Sequence, residues 1–217
     1  MKASPHFWKN EQWSGPIPDG ALLITQSPEL DDILEKSAKL MARTGYHGAS
    51  MRDLARVTGR SLSGLYHYFK GKEDLLFLVN QRGFLSLLKM VDELKAENLG
   101  PRETLRALIS NHIGFFARHL DEMRVIVFGT QEFAPERLKI VNDMKEDYRR
   151  RVQEIVGAYI ADARSAPIEE ADLTRKTFLL FGMMNWIFSW YSSGDHGPAK
   201  DLAEEIFQTF TKGCVES

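Results

Sequence analysis

Ser50 and Asp53 stand three residues apart, and the backbone between them decides their chemistry. A hydroxyl at a helix start accepts from the N–H three residues on, and a carboxylate at that third position accepts in return. The spacing predicts a helix opening at Ser50, with Leu54, Ala55 and Val57 as its apolar side. Gly59 falls where that helix must end, because glycine takes positive φ without steric cost. Ser61 then caps a second short helix in which Leu65 and Phe69, one turn apart, face inward. Two short helices about a glycine turn, with Ala55 small enough for a close crossing, are the grammar of a helix-turn-helix. The second helix of that motif enters the major groove of DNA. The chemistry expected here is hydrogen bonding to phosphates and base edges.

The flanking segments supply the scaffold. Ser27-Pro28 opens a helix, with serine at the N-cap and proline at the first helical position. Leu30, Ile33, Leu34, Ala38 and Met41 recur at helical spacing along it, and Gly45 ends it. Residues 27–71 thus form a three-helix DNA-binding domain, preceded by an irregular arm over 1–26 that carries Trp8 and Trp13. After Gly71 a long helix runs from Lys72 to about Asn98, and another from Arg102 to about His119. A short apolar segment follows at Met123–Phe128, then a long helix from Ala134-Pro135-Glu136 to about Ala163. After Ser165-Ala166-Pro167, two last helices are expected over Glu169–Ser192 and Pro198–Gly213. No alternating strand pattern occurs, so the chain is read as all-α.

Composition permits this and excludes several other classes. The 217 residues carry a net charge of -2, so nucleic-acid binding must come from where charge is placed rather than from its amount. Between Leu30 and Asp74, eight basic residues face six acidic ones. A single cysteine, Cys214, excludes an internal disulfide and suits a cytoplasmic location. The longest apolar stretch, Phe178 to Trp190, is broken by Gly182, Asn185 and Ser189, so no membrane span is expected. G-x-S-x-G and P-loop motifs are missing, which argues against an enzyme. No metal-ligand spacing accompanies His112, and neither a metal nor another cofactor is expected.

The run Thr58-Gly59-Arg60-Ser61, Gly64-Leu65-Tyr66-His67-Tyr68-Phe69 and Lys72-Glu73-Asp74-Leu75-Leu76 resembles the signature of TetR-type transcriptional regulators. The resemblance implies an N-terminal domain for a double-stranded operator and, over 72–217, a helical ligand-binding and dimerisation domain. It implies a homodimer formed through the last two long helices. Carried over by position, Ser50 and Arg52 would meet phosphates. Ser61, Leu62, Ser63 and Gly64 would face base edges, Tyr66 and His67 backbone or bases, and Lys72 a phosphate. A helix N-terminus with an added ammonium is a ready anion site on physical grounds too. Arg60 replaces a small aliphatic residue of the family pattern and Leu62 a frequent lysine. Leu62 suits a thymine methyl group, which leaves the operator sequence open.

The segment Gly182-Met183-Met184-Asn185-Trp186 with Trp190-Tyr191, Gly194 and Leu202-Ala203 is similar to the fatty-acid and steroid degradation repressors. That likeness implies an acyl-CoA thioester as effector. His112 beside Phe115 and Phe116 reads either as a core histidine or as part of a ligand pocket. Met144 and Tyr148, one turn apart, are expected to line that pocket with Phe84 and Phe116. Within Arg149-Arg150-Arg151, a solvated face competes with a role for Arg151 at the nucleotide phosphates of a CoA ligand. Helical spacing places Phe178, Phe181, Met184/Asn185 and Phe188 on one side, and Met183, Trp186/Ile187 and Trp190 on another. One side would meet the partner subunit, while Asn185 or Trp186 meets a ligand. The expected function is a dimeric repressor released by a small lipophilic effector. Its rivals are a drug-efflux regulator sensing a lipophilic drug and a DNA-architectural protein without ligand.

Overall fold

The computed structural model describes residues 27–164 and 168–215, with no side-chain description at 214–215. The arm over 1–26 and the break at Ser165-Ala166-Pro167 lie outside the described residues. The described residues form ten α-helices and two 3-10 turns with no strand: α1 (Pro28–Gly48), α2 (Met51–Thr58), α3 (Leu62–Tyr68), α4 (Lys72–Ala96), α5 (Pro101–Arg118), α6 (Leu120–Phe128), α7 (Pro135–Arg164), α8 (Glu170–Asn185), α9 (Ser193–His196) and α10 (Ala199–Val215). The chain divides into two compact units, one of residues up to Leu85 with Asp121–Met144, the other of Ser86–Leu120 with the residues from Lys145 on. This grouping differs from a division at Gly71: the DNA-binding helices share a core with most of α6 and the start of α7.

In the first unit, Ser27 caps α1 by accepting from the Leu30 N–H at 3.1 Å. Gly45, at φ +75°, breaks the helical path three residues before the hydrogen-bonded run stops at Gly48. Ile33, Leu34, Ala38, Leu54, Leu65 and Phe69 are buried, whereas Val57 is exposed, so the apolar side of α2 is narrower than its sequence suggests. An ionic node links α1, α4 and α6: Arg82 donates to the Asp31 carboxylate at 3.2 Å and to the Asp31 carbonyl at 3.1 Å, and pairs with Glu122 at 2.9 Å. Arg82 and Glu122 are both buried. Burial raises the Asp31 pKa, and the guanidinium opposes that rise. The α4–α6 crossing is tight, because a Cβ at Gly83 would meet the Ile126 methyl at 2.6 Å.

In the second unit, α10 packs chiefly on α5, and α8 touches both. Arg106 pairs with Glu204 at 2.6 Å and stacks over Phe207, fastening α5 to α10. Lys95 pairs with Glu154 at 2.6 Å, and Arg151 with Asp92, fastening α4 to α7.

The α8 helix stops at Asn185, seven residues short of the expected Ser192. A 3-10 turn, Trp186–Ser189, follows, and the Ser189 hydroxyl donates to the Trp186 carbonyl at 2.8 Å. A hydroxyl that takes a carbonyl from the ladder favours such tightening. The two expected faces are redistributed as well. Thr177, Leu180, Met184, Ile187, Phe188 and Tyr191 are buried, while Phe178, Leu179, Trp186 and Trp190 are exposed. The expected loop 193–197 contains the single turn α9, capped by Ser192, and the last helix begins at Ala199 rather than Pro198.

Candidate nucleic-acid interface and effector site

The helix-turn-helix is built by local rules. Ser50 Oγ accepts from the Asp53 N–H at 3.1 Å, and Asp53 accepts from the Ser50 N–H at 3.3 Å, completing the capping box. The Ser50 hydroxyl and then its N–H, both donating to the Asp53 carboxylate, hold that carboxyl below its ordinary pKa. Gly59, at φ +69°, makes the turn by donating to the Ala55 and Arg56 carbonyls. Ser61 Oγ accepts from the Gly64 N–H at 3.0 Å and opens α3. The front of α3 therefore presents Ser61, Leu62 and Ser63 to solvent, and Tyr66 and His67 are exposed one turn later. Gly64 is half-buried beneath them. Ser50 and Arg52 are exposed at the start of α2, and Arg52 has no ion-pair partner among the described residues.

Two predicted contact residues are engaged within the unit. Arg60 lies 4.0 Å from Glu29, which also accepts from the Tyr68 hydroxyl at 2.9 Å. Lys72 donates to the Tyr46 carbonyl at 2.8 Å, with its ammonium 4.6 Å from the centre of the Tyr46 ring. An ammonium has three hydrogens, so a phosphate contact there shares the group with the end of α1.

The predicted effector residues fall in both units. Phe84 and Met144 belong to the first; His112, Phe116, Tyr148, Arg151, Asn185 and Trp186 belong to the second. His112 is 1% exposed and its Nδ1 lies 2.7 Å from the Tyr148 hydroxyl. Its ring stacks on Phe116 at 4.3 Å and meets Phe181 at 6.4 Å. Burial drives the His112 pKa down to about 3, while the Asn185 side chain favours the protonated ring. Burial raises the Tyr148 pKa, so the phenol keeps its proton. His112 Nε2 makes no hydrogen bond among the described residues. An orphan of this kind costs about 1–3 kcal/mol.

A crevice beside the ring is lined by Leu87, Met90, Val91, Leu94, Leu108 and Asn111, and it is too narrow to hold a water molecule. The α4 wall was readable from Leu87, Val91 and Leu94, which recur at helical spacing. Arg151 pairs with Asp92 and Asp147 through its two terminal nitrogens, whereas Trp186 is exposed and meets Phe188 edge-on at 5.3 Å. Two cations overlooked by motif reading lie nearby in the chain. Arg118 and Lys145 have no acidic partner among the described residues, and burial lowers the pKa of each.

Residues 98–214 match the family described as "Tetracyclin repressor-like, C-terminal domain", and residues 33–79 match "Bacterial regulatory proteins, tetR family". The chain belongs to the TetR family. TetR-type relatives include the fatty acid metabolism regulator protein of Bacillus subtilis strain 168, 20% identical over 86% of this chain and 95% of the relative. The transcriptional repressor KstR2 of Rhodococcus jostii strain RHA1 is 24% identical over 85% and 90%. AibR, solved in complex with isovaleryl coenzyme A and operator DNA, superposes with a TM-score of 0.72 at 25% identity, covering 83% of this chain and 97% of its own. These TetR relatives are transcriptional regulators and not enzymes. Among the described residues no helix is long and apolar enough to cross a membrane.

Proposed function

We propose that this TetR-family chain is a repressor that binds a palindromic operator as a homodimer and is released by an acyl-CoA thioester bound in its second unit. The observation that carries the DNA reading is the exposed front of α3, where Ser61, Leu62 and Ser63 face solvent on a capped helix start. A dimer places two such helices roughly 34–36 Å apart, one turn of DNA. Phe178 and Leu179 on α8, and Trp186 and Trp190 in and after the following turn, are large apolar residues left exposed, and they support pairing through this segment. Ser50 and Arg52 are assigned to phosphates, with Tyr66 and His67 along the groove.

The effector reading is supported by an aromatic, buried surround with few polar groups, the usual make-up of a ligand site. It is supported too by the relatives, one of them solved with an acyl-CoA. Arg118 and Lys145, rather than Arg151 with its two carboxylate partners, are the cations assigned to an effector's phosphates. The test is anisotropy of the full chain on its own upstream DNA across a salt series, with and without octanoyl-CoA. Binding should weaken steeply with salt, as counterion release demands, and octanoyl-CoA should release the protein. The absence of salt-dependent binding would refute the repressor reading, and release by lipophilic cations alone would refute the thioester.

A further inference from the structure

One polar cluster stands inside the aromatic surround of the second unit: His112, Tyr148 and Asn185. Counting donors and acceptors fixes its protons. If His112 Nδ1 donated to Tyr148, the phenolic hydrogen would lack an acceptor among the described residues, and Nε2 would be a second unsatisfied atom. If Tyr148 donates to Nδ1, the ring hydrogen sits on Nε2; the Asn185 side chain lies on the same ring, yet no atom among the described residues meets that N–H with hydrogen-bond geometry. The ring is neutral and the phenol protonated throughout the physiological range, as this arrangement requires. Solvent does not take the bond, because the adjoining crevice is too narrow for water. Buried donors are almost always satisfied in folded proteins, so this one marks a place built for a missing acceptor.

We propose that His112 Nε2–H receives the carbonyl oxygen of an acyl thioester, with Tyr148 positioning the imidazole. The donor is uncharged, which matches an uncharged acceptor better than a carboxylate. The closed crevice implies that the ligand parts the Leu87–Leu94 segment of α4 from α5 as it binds. The assignment rests on the effector reading above, and operator binding measured on the same protein separates the two.

The probes are octanoyl-CoA and S-octyl-CoA, a thioether differing by the missing carbonyl oxygen, titrated calorimetrically into the full chain. The native protein should prefer the thioester by about tenfold to a hundredfold, the range of one hydrogen bond to an otherwise orphaned donor. Tyr148→Phe frees Nδ1 to take the proton, and it should abolish that preference. The doubly apolar His112→Phe/Tyr148→Phe chain, without ligand, should melt no lower than the native one. Equal affinity of the native protein for both probes, or for neither, overturns the proposal while leaving operator binding as a separate result. A preference that survives Tyr148→Phe overturns it, as does a doubly substituted chain that melts far below native.

Discussion

Acid should unfold this protein early, and His112 should be the reason. Its pKa falls from 6.5 to about 3 on folding because the ring is buried. The unfolded chain therefore binds the proton that the folded chain refuses. The resulting stability is complete above about pH 6.5 and is lost as pH falls toward 3. Linkage gives about 2 kcal/mol lost between about pH 7.5 and about pH 5, and about 5 kcal/mol over the whole interval. For a chain of this size that first step lowers the melting temperature by about 4–8 °C.

The carboxylates whose pKa is lowered, Asp53, Asp74, Glu146, Asp147, Glu154 and Glu204, lose their contributions at still lower pH. Asp31, raised by burial, acts with the opposite sign, since its folded form holds the proton more tightly. Calorimetric melts of native protein and His112→Phe between about pH 7.5 and about pH 5 isolate the histidine. The native curve should fall and the variant curve should stay nearly flat over that window. Parallel slopes in the two proteins would refute the burial argument.

Further outcomes follow from the same geometry. Ser61→Ala removes the α3 cap and should cost about 0.5–2 kcal/mol by thermal denaturation, with weaker operator binding. Arg52→Ala should weaken binding to operator and random duplex alike and reduce the salt slope by about 1 in anisotropy. Gly83→Ala places a methyl against Ile126 and should cost about 1–3 kcal/mol in urea melts, with partial rescue by Ile126→Val, which removes the clashing carbon. Arg82→Met leaves Glu122 buried without its guanidinium and should cost about 3–5 kcal/mol, whereas Arg82→Met/Glu122→Met should recover most of that in the same melts.

What was legible in the sequence is what local rules govern. The capping box at Ser50, the caps at Ser27 and Ser61 and the turn at Gly59 each depend on residues at most five apart, and each stands as read. The end of α8 was not legible, because no glycine or proline marks it and a serine hydroxyl shortens it. Nor were the contacts joining distant segments. Arg82 meets Asp31 fifty-one positions away, and His112 meets Tyr148 thirty-six away. Only packing sets such pairs. The sequence offered His112 and Tyr148 as separate candidates; the hydrogen bond they share exists only once α5 and α7 are side by side.

In the proposed effector reading, α4 is the element that carries the coupling between signal and DNA. Its first residue, Lys72, is tied to the end of α1, and Arg82 ties its middle to α1 and α6. From Leu87 on, the same helix forms the crevice wall beside His112. A ligand changes operator affinity only by binding one conformation better than the other. In the proposed reading, the donor at His112 supplies that difference, since its hydrogen bond to a thioester forms only when the wall has moved. A buried guanidinium with two carboxylates on other helices resists small displacements, because partial separation leaves charges desolvated and poorly paired. Such a node passes a shift on as an all-or-none change of partners instead of absorbing it. Replacing the node with apolar residues can therefore preserve the fold and both binding sites while loosening the link between them.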